Sequence, residues 1–221
     1  MYKKRRWLGL CVYIVVFAVG CQSPTSQALP STITTPPSET SLLRQYHQRD
    51  SVIQLLQAGD IVLRLGNDLT SYMLSQLNQD DQSFSHCGVV SIENGKPYIY
   101  HAIGGDYNPN QKIKRESPTT WLAPQSNRAI GIARLQLSPM QRQSLQDITQ
   151  QYYREGRIFD LDFDLETDDK LYCAEMIYKA LRTCTTDSNF ISTAHRFGRT
   201  YVGVDNIYHH PNAMLVCKLQ Y

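Results

Sequence analysis

The chain of 221 residues has little net charge, and no internal repeat is visible in it. Its 22 Lys and Arg residues nearly balance its 20 Asp and Glu residues, which leaves a formal charge of +2. Without the four basic residues at positions 3–6 the balance becomes −2. This balance gives no electrostatic case for a nucleic-acid partner. The roughly 200 residues after the N-terminal segment are enough for one domain with a real core.

Convincing metal-binding spacings are also lacking. The run Asp160–Glu166 alternates acidic and apolar residues and begins like an EF-hand loop. However, Leu165 stands where that loop needs Gly, and Leu171 stands where it needs Glu. We interpret the run as a solvated strand or loop that leads into the next helix. The pair His209-His210 has no spaced partners and is interpreted as loop. The sequence therefore predicts no metal site and no cofactor.

The N-terminus lacks the roughly 20 apolar residues that a membrane-spanning helix needs. Basic residues 3–6 precede a shorter apolar stretch, Trp7–Gly20, as in a secretory signal peptide. The end of this stretch and the next residue, Ala18-Val19-Gly20-Cys21, resemble a bacterial lipobox. We therefore expect residues 1–21 to be a lipoprotein signal peptide with a lipidated Cys21. An ordinary secretory signal or an uncleaved anchor is the alternative.

A lipidated Cys21 places the chain in the bacterial cell envelope, bound to a membrane through its lipid anchor. Gln22 follows the cysteine where an Asp would retain the chain in the inner membrane, so we expect the outer membrane, facing the periplasm. Residues 22–39 are rich in Ser, Thr and Pro and are predicted to form a flexible tether. The folded domain is then expected to occupy residues 40–221.

A cysteine stands at the predicted start of an amphipathic helix. The pattern i, i+3, i+4, i+7, i+8 of a core-facing stripe is followed by Cys173, Met176, Ile177, Ala180 and Leu181. The acidic run Glu166–Asp169 suits a helix start. The free N–H groups and partial positive charge of a helix N-terminus favour a thiolate and can hold an oxyanion. Cys173 is therefore either an activated nucleophile or a buried structural cysteine.

A predicted β-hairpin upstream supplies candidate bases. Asn94-Gly95 is typical of a two-residue turn between two strands. That turn places Gly88 opposite His101, so His86 and His101 share one face and lie within side-chain reach of each other. Each histidine alone is better explained as a satisfied, partly buried imidazole. Two on one face, together with a helix-start cysteine, indicate a catalytic set.

Four segments of the chain, in this order, resemble the YiiX-like family: Gly59–Arg64, Phe84–Val90, Tyr98–Ala102 and Leu171–Ile177. That family is a circularly permuted branch of the NlpC-type, papain-like cysteine hydrolases. The resemblance implies Cys173 as the nucleophile, His86 as the base and position 101 as the polar orienting residue. Many members carry Glu at this third position, whereas this chain has His101, as in other NlpC-type enzymes. The permutation accounts for the histidines preceding the cysteine.

The remaining patterns and the resemblance together indicate an α+β fold, a papain-like (circularly permuted NlpC-type) domain with an antiparallel sheet packed on helices. Helices are expected over 40–58, 68–77, 139–155 and from Cys173, and strands over 61–65, 85–92, 97–102, 129–135 and 213–219. In the second helix the residues expected to face inward are Leu69, Tyr72, Met73 and Leu77. Residues 107–127 are expected to be mostly loop, anchored by Trp121.

Four cysteines fall in the expected domain. An oxidising periplasm permits a disulfide, and Cys184 with Cys217 is one candidate pairing. Cys173 must stay free for catalysis. Cys87 is expected to point to the face opposite His86 and to be buried structure.

The resulting hypothesis is a lipid-anchored cysteine hydrolase. His86 deprotonates Cys173, the thiolate attacks a carbonyl, and the Cys173 N–H helps to hold the oxyanion. Glu175 either orients a substrate amine or, as we favour, has a structural role. The expected substrate is an amide in a peptidoglycan stem peptide. An acyl lipid or thioester is the alternative, because permuted relatives resembling lecithin–retinol acyltransferase act on acyl chains. A non-catalytic, envelope-binding lipoprotein is a third hypothesis.

Overall fold

The computed structural model describes residues 38–105, 108–196 and 198–221, which form a mixed α+β fold of six α-helices and eight strands. The helices are α1 (Glu39–Ile53), α2 (Leu69–Ser75), α3 (Pro118–Trp121), α4 (Pro139–Glu155), α5 (Cys173–Thr185) and α6 (Val204–Tyr208). The strands are β1 (Ile61–Gly66), β2 (His86–Glu93), β3 (Lys96–His101), β4 (Lys114–Glu116), β5 (Asn127–Leu135), β6 (Ala194–Arg196), β7 (Arg199–Tyr201) and β8 (Ala213–Gln220). The expected signal peptide, Cys21 and the tether up to residue 37 lie outside the described residues. Within those residues, no helix combines the length and the apolar character needed to cross a membrane.

Six of the strands form one antiparallel sheet in the order β4-β3-β2-β1-β5-β8, and β6 pairs with β7 in a separate two-stranded sheet. The expectation of an α+β class with an antiparallel sheet packed on helices is confirmed at this level. Strand β2, which begins with His86, lies in the interior of the sheet between β1 and β3. Because β2 is an interior strand, each of its buried side chains is covered by the helices and loops that pack on the face of the sheet to which it points.

Each face of the sheet has its own apolar core, because side chains alternate along a strand. On one face Leu63 and Cys87 pack with the buried side of α5, including Met176. The opposite face packs Val62 and other strand residues against Trp121 of α3 and Val52 of α1. Trp121 is fully buried, which confirms its expected role as an anchor. The sheet therefore separates two layers.

The hairpin between β2 and β3 has the predicted turn. Asn94 and Gly95 both have positive φ, 50° and 75°, as a two-residue hairpin turn of type I′ requires. Glu93 pairs with Lys96, which confirms the predicted register. The pairing ends at Val89 with Tyr100, one step before the expected Gly88–His101 pair. His101 still shares its face with His86, because the register is unchanged.

The predicted helix α4 is confirmed at both ends. Ser138 is its N-cap and forms a capping box with Gln141, while Gly156 ends the helix in a left-handed conformation. Helix α5 begins at Cys173 as predicted, but the acidic run Glu166–Asp169 does not start it. Its first turn is closed by Glu175, whose carboxylate accepts the N–H of Tyr172 at 3.1 Å.

Two other expectations, for the end of α1 and for the inward face of α2, were wrong, and one, for region 107–127, was incomplete. Helix α1 ends at Ile53, because the residues after it turn back and Gln57 donates its N–H to the buried Asp60. The region 107–127, expected to be mostly loop, also forms the short elements β4 and α3. The exposed fractions on α2 contradict its expected inward face, with values of 73% for Leu69, 54% for Tyr72 and 61% for Met73. Helix α2 has only seven residues and buries Ser75 instead of an apolar stripe.

The cysteines of the described residues are all free thiols. Cys184 packs against the core on the α5 side of the sheet, whereas Cys217 packs against the core on the α3 side. The candidate pairing of these two residues is therefore wrong, because the sheet lies between their cores.

Candidate active site

Cys173 is the first residue of α5, and its side chain is buried. The stripe predicted to face the core, which includes Met176 and Ile177, is buried as expected. First-turn N–H groups of a helix have no partner within the helix. The N–H groups of Cys173 and Ala174 are turned toward the sulfur and favour its charged form. The sequence therefore folds so that a thiol meets the positive end of a buried helix.

The nearest partner of the Cys173 thiol is a second cysteine. A hydrogen bond with the Cys87 thiol lowers the pKa of Cys173, whereas burial raises it. The backbone N–H groups of Cys87, Ala174 and Cys173 lower the pKa of Cys173 further. Burial raises the pKa of Cys87 well above its usual range, and the contact with Cys173 adds to this. Of the two thiols, Cys173 is therefore the one that ionises first. Cys87 points away from the His86 face as expected, but it contacts Cys173 rather than serving only as core.

The Cys87 N–H is available to the sulfur because of where β3 stops. Val90 donates its N–H to Asp60 beside β1 at 2.9 Å. Since N–H directions alternate along a strand, the Cys87 N–H points the other way, toward the β3 side. The pairing of β2 with β3 has already ended at Tyr100. The sulfur of Cys173 therefore lies against the peptide unit that joins His86 to Cys87.

His86 and His101 are in direct contact. His86 Nε2 lies 2.9 Å from His101 Nδ1, and the two rings meet edge to face. Trp121 packs on both rings at centroid distances of 5.9 and 6.0 Å. Burial lowers the pKa of both histidines, for His86 well below its usual value. Both imidazoles are therefore neutral near pH 7, which is the state a general base needs.

Glu116 on β4 extends this contact, and sequence reasoning missed it. Its Oε2 lies 3.3 Å from His101 Nε2, but the alignment falls short of a well-formed hydrogen bond, so the contact is chiefly electrostatic. The contact with His101 lowers the pKa of Glu116 to about 2 against the effect of burial, so the carboxylate is ionised. A three-residue strand is too short to show an alternating pattern. Nothing in Lys114-Arg115-Glu116 alone marks the residue.

Two basic residues flank the histidine pair. Arg64 pairs with His86 across β1 and β2, and its guanidinium lies 4.9 Å from the centre of the Trp121 ring. Its positive charge adds to the burial that lowers the pKa of both histidines. Lys114 Nζ lies 2.6 Å from the other oxygen of Glu116. The charges of Arg64 and Lys114 make the surroundings of the two histidines positive, while the negative Glu116 lies beside His101 at the end of the pair away from His86.

Glu175 has the structural contacts that we favoured for it. It is fully buried, accepts the Tyr172 N–H, and lies 3.1 Å from Lys179 one turn along the helix. Burial raises its pKa to about 7, against the opposing effects of these two partners. The contacts of its carboxylate are therefore used to hold the first turn of α5.

The structure places the predicted site residues in two separate contacts. His86 and His101 touch each other, and the Cys173 sulfur lies at the peptide that follows His86. Among the described residues no hydrogen bond joins Cys173 to His86 directly, since the sulfur faces Cys87. Catalytic hydrogen bonds are often formed fully only with substrate present. The predicted lipidation site, Cys21, lies outside the described residues.

No group of three or more His, Cys, Asp or Glu side chains that could hold a metal ion is found in the described part of the chain. The segment Asp160–Glu166, which begins like an EF-hand loop, is held by hydrogen bonds to its own backbone. Asp160 accepts the N–H groups of Asp162 and Asp164. His209 lies 3.8 Å from Asp81, and the ring of His210 stacks on Phe190. These contacts explain both segments without a ligand.

Comparison with known proteins finds similarity to YiiX proteins in both sequence and structure. The chain is 28% identical over 125 residues to the uncharacterized protein YiiX of Escherichia coli K12. That alignment covers 56% of this chain, and the chain spans only 56% of the relative's length. A crystal structure described as metalloprotein YiiX from Escherichia coli O157:H7 superposes with a TM-score of 0.60 at 22% identity, covering 75% of this chain and 98% of that one. No family model matches the sequence.

The sequence match makes this chain similar to the YiiX protein, and the structural match shows that it shares the α+β fold of the solved relative. The solved relative is described as a metalloprotein. The described residues of this chain provide no cluster of ligands that fits a metal ion.

Proposed function

We propose that this chain is a cysteine hydrolase whose domain is the circularly permuted, papain-like NlpC type, with Cys173 as nucleophile and His86 as base. One observation supports the proposal most strongly. Cys173, at a helix N-terminus, lies against the backbone N–H of Cys87, and the preceding residue, His86, is buried in direct contact with His101. Nucleophile, base and orienting group in this order are the arrangement used by thiol hydrolases.

The chemistry follows from which atoms are engaged. His86 Nε2 is occupied by His101, so His86 Nδ1 is the nitrogen left to accept a proton from the Cys173 thiol. The sulfur turns from Cys87 to His86 as substrate binds, and the thiolate then attacks the substrate carbonyl carbon. The N–H groups of Cys173 and Ala174 stabilise the oxyanion. Protonated His86 returns its proton to the leaving group, and water then releases the acyl group from the sulfur.

The substrate that we favour is an amide of a peptidoglycan stem peptide. The expected lipid anchor at Cys21 and outer-membrane location place the chain next to this polymer. The resemblance to NlpC-type hydrolases points to the same bond. Both arguments come from the sequence, so a direct measurement on the polymer is the decisive test.

One observation favours the acyl-substrate alternative. Helix α2 exposes Leu69, Tyr72 and Met73 to solvent. This helix packs on β1 and β2 at the end of the sheet where His86 begins its strand. Exposed apolar side chains at the end of the sheet that carries the proposed base suit contact with an acyl chain.

The test is incubation of the purified full chain with peptidoglycan, and separately with phospholipid and acyl thioester, followed by mass spectrometry of the products. We expect release of stem-peptide fragments by the wild type and no release by Cys173→Ala. The matched control is Cys184→Ala, at the other end of α5, which should leave product formation unchanged. If the wild type forms no product from any of these substrates, the chain is a binding lipoprotein and the proposal is wrong.

A variant of α2 separates the two substrate classes. Replacing Leu69, Tyr72 and Met73 by Ser should reduce lipid or thioester hydrolysis strongly if the helix contacts an acyl chain, while peptide cleavage is retained. Equal loss of both activities would show that α2 does not select the substrate.

A further inference from the structure

We propose that Glu116 is a positioning residue that fixes the proton positions on both histidines, so that His86 presents an unprotonated Nδ1 toward Cys173. The inference rests on the proposed function for the role of His86, but the proton positions themselves can be tested without any activity. It adds a fourth member to the set, beyond the nucleophile, base and orienting residue.

The geometry is a chain of three side chains across β2, β3 and β4. His86 Nε2 lies 2.9 Å from His101 Nδ1, and His101 Nε2 lies 3.3 Å from Glu116 Oε2. The first contact is buried on both sides, while Glu116 keeps 17% of its side chain exposed. His86 uses its Nε2 for the contact with His101. His101 uses Nδ1 for His86 and Nε2 for Glu116.

The charge of Glu116 selects one of two possible arrangements. A neutral imidazole has one protonated nitrogen and one that only accepts. An ionised carboxylate at 3.3 Å favours the proton on His101 Nε2, and it repels a lone pair there. His101 Nδ1 then accepts, so His86 must donate from Nε2, and His86 Nδ1 carries the lone pair. In the opposite arrangement His86 Nδ1 is protonated and cannot act as a base.

The same charge stabilises the protonated state that follows proton transfer. The other charged groups facing the histidines, Arg64 on β1 and Lys114 on β4, are positive and oppose a second positive charge there. Among the described residues, Glu116 is the negative group in contact with the pair. When His86 accepts the Cys173 proton, the positive charge is shared through His101 toward this carboxylate. Glu116 is thus placed to favour the thiolate–imidazolium state.

The experiment compares Glu116→Gln with Glu93→Gln in the full chain. Glu93 is a matched control, because it is a partly buried glutamate that also bridges neighbouring strands, through Tyr100 and Arg115, without touching either histidine. Nuclear magnetic resonance of isotope-labelled histidine nitrogens reports which ring nitrogens hold protons. In the wild type and in Glu93→Gln, we expect His86 and His101 both protonated on Nε2 near neutral pH. In Glu116→Gln the His101 signals should lose this preference, and those of His86 should follow.

A kinetic readout accompanies the spectra. The pH midpoint for alkylation of Cys173 should move upward in Glu116→Gln, and the rate near neutral pH should fall by about tenfold or more, since one pKa unit is a tenfold change in the ionised fraction. Glu116→Asp keeps the charge and should restore the wild-type proton positions at least in part. This second variant keeps the test open if Glu116→Gln does not fold.

The two proposals fail separately. Histidine signals in Glu116→Gln that match those of Glu93→Gln would overturn the role of Glu116, whatever the activity. If the wild-type Cys173 is unreactive while the proton positions still respond to Glu116→Gln, the proposed hydrolase function is wrong and the inference about Glu116 stands.

Discussion

At the scale of single residues, the four free cysteines of the described chain differ in their surroundings enough to be told apart chemically. Cys173 has a lowered pKa through the Cys87 thiol and the N–H groups at the start of α5. Burial raises the pKa of Cys87, Cys217 and, to about 11, Cys184. Since the thiolate is the reactive species, Cys173 is the expected site of reaction near neutral pH.

The first prediction concerns this order of reaction. Brief treatment of the folded chain with iodoacetamide near neutral pH should label Cys173 at least about tenfold faster than Cys87, Cys184 and Cys217, because an ordinary thiol with a pKa of about 8.5 is mostly protonated there. His86→Ala should slow labelling of Cys173, and His101→Ala should slow it less, because an orienting residue acts through the base. Peptide mapping by mass spectrometry measures each rate.

Two controls make the labelling result interpretable. His195→Ala changes a histidine on β6 that contacts Thr200 and neither of the other two histidines, so it should leave the rate unchanged. Denatured protein should label all cysteines alike. An inert Cys173 in the folded chain, or a rate that His86→Ala leaves unaltered, would contradict the assignment of nucleophile and base.

At the scale of elements, Gly88 controls how closely β3 approaches β2. A Cβ at this position would lie 2.8 Å from the Ile99 side chain, 3.0 Å from the Tyr100 carbonyl oxygen and 3.2 Å from the His101 Cβ. The second prediction is that Gly88→Ala displaces β3, costs about 1–3 kcal/mol of unfolding free energy and slows Cys173 labelling, because His101 moves away from His86. Chemical denaturation and alkylation rates measure the two effects.

Gly131→Ala is the matched control for that variant. Gly131 lies on β5, and an added Cβ would lie 2.7 Å from the Phe84 ring, so overpacking is comparable. Its neighbours do not include the histidines, so it should lower stability while the labelling rate is retained. Equal slowing in both variants would mean that general loosening, not the position of His101, explains the result for Gly88→Ala.

The third prediction concerns the start of α5. Glu175 has an ordinary pKa of 4.5 and a folded value of about 7, raised by burial. Between these pH values the folded chain holds more protons than the unfolded chain, so the contribution of Glu175 to stability falls as pH rises. One pKa unit corresponds to about 1.4 kcal/mol. Glu175→Gln should therefore remove a pH-dependent loss of stability between about pH 5 and 8.

The measurement is the difference in melting temperature between wild type and Glu175→Gln at both ends of that range. Taking the difference cancels the other titrating groups, including the buried histidines, whose lowered pKa values favour the folded chain at higher pH. Lys179 keeps a partner in the variant, since Asp168 lies 2.7 Å away. A difference that does not change with pH would show that Glu175 is ionised throughout.

The elements also show where sequence reasoning succeeds. Helix α4 and the hairpin turn were predicted because their signals are local: Ser138 and Gly156 bound the helix, and Asn94-Gly95 defines the turn. The exposed face of α2 was missed, because an apolar residue such as Leu69 does not reveal from its spacing which layer, if any, covers it. Tertiary placement decides that outcome.

In the candidate site too, contacts set by local register could be predicted, and contacts set by distant elements could not. Register alone brings His86 beside His101, so the pair could be predicted from one turn. The contact of Cys87 with Cys173 depends on how α5 crosses the sheet, and Glu116 depends on a third strand joining β3. Both are long-range consequences of the fold without a short sequence signal.

At the scale of the whole molecule, the described domain begins at the N-cap of α1, Ser38. The residues before it hold the expected signal peptide, Cys21 and the Ser-, Thr- and Pro-rich tether. In a flexible chain of about 16 residues the ends are separated by roughly 20–25 Å on average. If Cys21 carries a lipid as expected, a tether of this length would let the domain reach substrates near the membrane surface.

The fourth prediction tests that anchoring directly. Cys21→Ser in the full chain should abolish lipid attachment, since a hydroxyl does not replace the thiol in forming the thioether, and the protein should leave the membrane fraction. Cys11→Ser, within the apolar stretch of the expected signal peptide, is the matched control and should retain both lipid and membrane association. Fractionation with mass spectrometry of the mature N-terminus measures the outcome. Membrane retention of Cys21→Ser, with no lipid on the wild-type chain, would instead indicate an uncleaved apolar anchor, because the stretch Trp7–Gly20 would then hold the protein by itself.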